Sequence, residues 1–143
     1  MPYNKKITLF AILLAFVVIV FGAYVRLTDA GLGCPDWPGC YGFFGVPESS
    51  ESLSEVDKTF PGQVVESGKA WREMIHRYIA STLGFLIMVL FGLSLLQRKK
   101  HSEHTSIRLP FYLLILVAFQ GLLGMWTVTL KVHPVIVSAH LIG

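Results

Sequence analysis

The sequence predicts an all-α integral membrane protein, a bundle of four transmembrane helices with the fourth incomplete. Three observations predict it. Apolar residues make up 53% of the 143 positions and charged residues only 15%, where a soluble domain carries roughly a quarter charged. The charges are clumped, which leaves three long uncharged runs. A fourth apolar run starts after Pro134 and reaches Gly143 nine residues later. A soluble globular domain, a disordered tail and a nucleic-acid module are excluded together. The net charge of +3 follows the side of the membrane and does not point to a polyanion partner.

The first run, residues 7–25, has nineteen residues without a charge. At 1.5 Å per residue that crosses a hydrocarbon core of about 30 Å. Lys5 and Lys6 precede it, as in a signal peptide, but the run exceeds the usual h-region and 24–26 makes a poor cleavage site. It is predicted to stay as a helix. The second run, 78–96, also has nineteen residues, and the third, 109–130, has twenty-two. Helices are therefore expected near 7–25, 73–96, 109–130 and from 135 through 143, within one half-domain spanning 1–143. Nine helical residues cover less than half a bilayer core, so the chain reads as a piece of a longer membrane protein. Lipid demands helices here, because open strands would leave backbone groups unpaired.

Orientation follows from the connectors. Residues 97–108 hold Arg98, Lys99, Lys100 and Arg108 against Glu103, whereas 26–73 hold eight acids and four bases. The positive-inside rule puts the N-terminus and the basic connector in the cytoplasm. The long 26–72 loop and the turn at 131–134 then lie outside. The Ser/Glu-rich stretch 48–55 reads as a mobile part of that loop.

Chemistry concentrates at the outer end. Glu73, His76 and Arg77 share a helical face about one turn inside the second span, where ionisable groups are expensive and usually face a bundle interior. A helix-start cluster, with Glu73 at the helix dipole and Arg77 snorkelling, explains them equally well. His140 shifts the balance. It stands six residues past Pro134 on a span running the same way, about 9 Å below the boundary and at a depth like that of His76. Two imidazoles at matched depth suit the axial positions of a haem iron held in a helix bundle. The competing reading is a pair of unrelated interhelical hydrogen bonds. Ala80 and Gly84 continue the His76 face and would leave room for a ring. His101 and His104 read as solvated, and His133 as interfacial.

Cys34 and Cys40 bracket Pro35, Asp36, Trp37, Pro38 and Gly39 in the outer loop. An oxidising compartment lets a disulfide form and persist there. A structural staple holding Trp37 over the bundle mouth is the favoured reading, and a redox-active pair the alternative. Gln120, Gly121, Gly124 and Thr127 form a small polar strip on the third helix, suited to close packing and interhelical hydrogen bonds.

These motifs resemble the haem A synthase family. The likeness runs through Arg26-Leu27-Thr28-Asp29-Ala30-Gly31-Leu32-Gly33-Cys34-Pro35-Asp36-Trp37-Pro38. It resumes at Glu73-Met74-Ile75-His76-Arg77 and at Gln120-Gly121-Leu122-Leu123-Gly124-Met125-Trp126-Thr127-Val128. It closes at His133-Pro134 and Val137-Ser138-Ala139-His140-Leu141. The resemblance implies an eight-helix protein of two four-helix halves, this chain being the N-terminal one, in a bacterial inner membrane. It implies oxidation of a ring methyl of haem O to a formyl group. His76 and His140 would hold the iron of that substrate haem. Glu73 would act as a catalytic base or charge stabiliser, and Arg77 would pair with a haem propionate. Cys34 and Cys40 would form the outer disulfide, and a haem B would sit in the other half. Haem O synthase and an electron donor are the implied partners besides membrane lipid. Two rival classes remain: a bis-histidine electron-transfer cytochrome, and a thiol oxidase using Cys34 and Cys40 with a quinone.

Overall fold

The structure, a computed structural model, describes residues 2–101 and 107–143, with side chains for 5–98 and 107–143. The expectations for Lys99, Lys100, His101, Glu103 and His104 fall on side chains outside the described residues. The chain is all α. Five helices follow in order: α1 (Pro2–Leu27), α2 (Ser50–Thr59), α3 (Ser67–His101), α4 (Arg108–Thr129) and α5 (Pro134–Ile142). Three are long and apolar enough to cross a membrane, over Lys5–Leu27, Ser67–Arg98 and Arg108–Thr129. The chain is a multi-pass integral membrane protein.

Helix α1 packs on α3, α3 on α4, and α4 on α5, so consecutive spans are neighbours and α3 and α5 both pack on α4. The 26–72 connector closes the end where α1 and α4 finish and α3 and α5 begin. Its interior holds the main buried cluster of the described residues: Cys34, Cys40, Tyr41, Val56, Ala70 and Met74, with Phe43, Val46, Phe60 and Val65 against it. The spans have few buried residues. The physics differs between the two parts. Lipid tails exert no hydrophobic drive between helices, whereas a water-facing loop must bury apolar surface to hold its shape.

Two expectations need correction. The Ser/Glu-rich stretch is not a mobile loop, since most of it lies in α2. Ser49 caps that helix by accepting from Ser52 N at 3.2 Å, Glu51 and Lys58 suit the two ends of its dipole, and Val56 pins it to the cluster. The second span also starts earlier than 73. Lys69 N and Ala70 N donate to Glu66 O at 2.9 and 3.0 Å, so α3 has run nine residues by His76 rather than about one turn. Hydropathy marks where lipid begins, and hydrogen bonding marks where the helix begins.

Helices α4 and α5 are joined by two successive residues in the left-handed region, Lys131 at φ 49° and Val132 at φ 52°. Val132 N reaches back to Thr127 O at 2.7 Å. Left-handed backbone is unusual for a β-branched residue, and it turns the chain sharply enough to bring α5 back along α4.

Candidate functional site

Glu73 is where the connector meets α3. It is 4% exposed, and both carboxylate oxygens are engaged. Oε2 accepts from Cys34 N at 2.9 Å. Oε1 accepts from Arg77 Nη2 at 2.5 Å, an ion pair across one turn. The other guanidinium nitrogen, Nη1, donates to the carbonyls of Pro38 and Gly39. One helix face thus holds both ends of the disulfide loop: Cys34 through Glu73, and Pro38 and Gly39 through Arg77. Gly33 makes this approach possible, because a Cβ there would lie 2.6 Å from Lys69 C and 2.7 Å from Ala70 N.

Cys34 and Cys40 form a disulfide, and both are fully buried. Asp36 closes the ring from within, accepting from Tyr41 N at 2.6 Å and Gly42 N at 2.8 Å. Trp37 stays half-exposed, and the aromatic that the loop buries is Tyr41. Burial, reinforced by Glu66, Asp36 and Glu73, raises the Tyr41 pKa. The phenol therefore keeps its proton and donates to Val64 O at 3.4 Å. Further along, Trp71 Nε1 donates to Glu48 Oε1 at 2.7 Å and Tyr78 OH to Phe44 O.

Beneath this cap lie the two imidazoles. His76 sits in the seam between α1 and α3, stacked on Phe21 at 6.4 Å between ring centroids. A Cβ on Gly22 would lie 2.7 Å from its Cε1. His140 sits against α4, where a Cβ on Gly124 would lie 3.3 Å from its Cε1. Gly22 stands five residues before Leu27 at the end of α1, and Gly124 five before Thr129 at the end of α4. Each imidazole is therefore held at about 7.5 Å from the capped end of the helix it touches. Both imidazoles thus lie near the capped end of the bundle.

Nδ1 of His76, Nδ1 of His140 and the Gln120 carboxamide nitrogen are all buried without a hydrogen-bond partner. Buried polar atoms normally find one, and the two imidazole orphans near the capped end, with Gln120 one turn deeper on α4, stand out against that rule. The pair of unrelated interhelical hydrogen bonds, the competing reading, is not made at either Nδ1. The donor chemistry is of the kind a haem iron takes: two imidazoles, on α3 and α5, each ring resting on a glycine.

The polar strip on α4 behaves differently from its expected part. Thr127 Oγ1 donates to Gly124 O in its own helix at 2.7 Å, and Gln120 gives no interhelical bond. Glycine takes the contact that such a bond would need, since Gly124 receives His140. Gly84, expected to leave room beside His76, instead faces Val117 of α4. The residue that makes the room is Gly22, which sequence reasoning passed over. A glycine deep in an uncharged helix, level with a histidine on the next span, was its signal. His133 is exposed at the N-cap of α5, away from these contacts.

A graded effect follows from the two glycines. Gly22→Ala is expected to displace the His76 ring, at an overpacking cost of about 1–3 kcal/mol, and to weaken haem retention by the full-length protein. Gly124→Ala, with a looser fit, should weaken it less. Titration with haem and comparison of yields measures both, and equal retention by the two variants and the parent would remove the glycines from the site.

Comparison with known proteins covers nearly the whole chain. The family described as COX15-CtaA, cytochrome oxidase assembly protein, matches residues 5–143. A protein named Heme A synthase from Shewanella oneidensis is 50% identical over 127 residues, which are 89% of this chain and 37% of that protein. Proteins of the same name from Sinorhizobium fredii and Alkalihalophilus pseudofirmus are 31% and 28% identical, over 86% and 96% of this chain and 35% and 41% of their own length. The chain spans between about a third and two fifths of the length of these curated relatives. No solved structure matches it.

Proposed function

The chain belongs to the COX15-CtaA family of cytochrome oxidase assembly proteins, and on that footing we propose that the full-length protein is a haem A synthase. Its reaction would oxidise a ring methyl of haem O to a formyl group. The single observation that carries this reading is the pair of half-buried imidazoles, His76 and His140, each with a buried and unpartnered Nδ1 and each seated on a glycine of a neighbouring helix. A pair of unrelated structural histidines would have satisfied those nitrogens.

His76 and His140 hold the substrate haem by its iron, one from α3 and one from α5. When bound, the haem brings the reacting methyl and a redox-active metal to the capped end of the bundle. Gln120 offers a donor about one turn deeper on α4. Glu73 and Arg77 serve the site as positioning residues. Their charges are spent on each other and on the loop backbone, so contact with a substrate methyl or propionate requires that clamp to open. The clamp holds the disulfide loop over the site, which keeps water from the reacting edge of the ring. The burial of Cys34 and Cys40 supports a structural part for the disulfide.

The positive-inside rule supports a cytoplasmic N-terminus and an outer position for the cap, in a bacterial inner membrane. Haem O synthase would supply the substrate, an electron donor would support the oxidation, and the remainder of the protein would carry a haem B.

Extraction of pigments tests the assignment. Cells producing the full-length protein together with haem O synthase are expected to yield haem A and bound haem O by liquid chromatography. Bound haem B alone, with no haem A formed, would instead mark an electron-transfer cytochrome.

A further inference from the structure

The connector contains a stretch that its surroundings do not explain. From Trp37 to Pro47 there are eleven residues with no charge, in the most acidic connector of the chain. Four of them are aromatic: Trp37, Tyr41, Phe43 and Phe44. Tyr41 is buried and Phe43 packs against the buried cluster, but Phe44 is 89% exposed and Trp37 46%.

The hydrogen bonds fix the level at which this stretch sits. Arg77 binds the carbonyls of Pro38 and Gly39, and Tyr78 donates to Phe44 O. Arg77 is the last charge before the nineteen uncharged residues of α3, and Tyr78 is the first of that run. Nineteen residues at 1.5 Å rise match the thickness of a hydrocarbon core, so Tyr78 marks its boundary. Phe44 is therefore tied within one tyrosine side-chain length of that boundary.

The α3 face next to Phe44 is continuous with lipid-facing surface. Trp71, Tyr78 and Phe85 stand seven residues apart and so share one side of the helix. All three are exposed, and Phe85 lies about 10 Å deeper than Tyr78. An exposed phenylalanine beside such a face, flanked by tryptophan and tyrosine, has the composition of an interfacial aromatic belt.

We propose that the tip of the connector, carrying the exposed side chains of Phe44 and Trp37, is inserted in the phospholipid leaflet at the capped end of the bundle. The disulfide loop is then anchored on two sides, to α3 by Glu73, Arg77 and Tyr78, and to the bilayer by its own aromatic side chains. The inference rests on α3 spanning the membrane and is independent of which haem the site binds.

Photocrosslinking tests it in the full-length protein, reconstituted in nanodiscs of phosphatidylethanolamine and phosphatidylglycerol. With Phe44→p-benzoyl-phenylalanine, illumination is expected to give phospholipid adducts, read by intact mass. The same probe at the exposed Glu51 of α2 should give about tenfold fewer, the preference expected from burying one aromatic side chain. A crosslink from position 44 to another segment of the protein, or to a second copy, would overturn the proposal, as would an adduct yield no higher than at Glu51. A gentler substitution checks the same point. Phe44→Trp should add fluorescence that lipids brominated on the acyl chain quench, and added fluorescence that such lipids leave unquenched counts against insertion.

Discussion

Glu73→Ala in the full-length protein is expected to abolish most haem A formation and to expose the disulfide to aqueous reductant. The change removes two contacts at once. It leaves the Arg77 guanidinium, whose side chain is only 12% exposed, without its carboxylate, and leaves Cys34 N without an acceptor. Breaking a largely buried pair by deleting one partner costs about 3–5 kcal/mol, and each 1.4 kcal/mol is about tenfold in an equilibrium. The cost falls first on docking of the loop, to which both lost contacts belong. Reduction of Cys34–Cys40 by a water-soluble phosphine should therefore accelerate while the protein remains in the membrane. Glu73→Gln keeps an acceptor for Cys34 N and should show a smaller change.

The double variant Glu73→Ala with Arg77→Ala separates clamp from chemistry. Removing both charges relieves the stranded guanidinium, so its loss is expected to be less than the sum of the two single losses. Simple additivity, or an unchanged rate of disulfide reduction in Glu73→Ala, would contradict the clamp. It would return Glu73 to the part of a catalytic carboxylate.

Much of this arrangement was legible in the residues. The three spans follow from uncharged runs, because the cost of a charge in lipid is large and leaves a clear record in sequence. The disulfide follows from two cysteines in the same loop, six positions apart. His76 and His140 follow from helical rise, which converts residue number into depth. Other features were hidden for reasons equally physical. Helix α2 has a polar composition that reads as loop, and only the cluster beneath it, reached by Val56, makes it worth folding. Gly22 was invisible because a glycine carries no chemistry of its own, and its meaning comes from the imidazole packed against it from another helix. The engagement of Arg77 with loop carbonyls could not be read either. Those acceptors belong to the backbone, which sequence does not distinguish from one position to the next.

The second large effect concerns the imidazoles. His76→Ala and His140→Ala are each expected to remove haem A formation entirely, because a haem held from both α3 and α5 loses its orientation when either donor is gone. The spans should persist in both variants. His76 and His140 are each only partly buried, and neither makes a hydrogen bond at its Nδ1 that folding would miss. Loss of protein from the membrane, without loss of the haem signal in what remains, would make them structural residues.

Electron paramagnetic resonance of the purified full-length protein, loaded with haem O, reads that coordination directly. Two nitrogen ligands give a low-spin ferric signal, and each alanine variant should lose that species or convert it to high spin, with the signal of any second haem unchanged. A low-spin haem O signal identical in the parent, His76→Ala and His140→Ala would mean that iron is held elsewhere, and that the two rings under the disulfide loop are not its ligands.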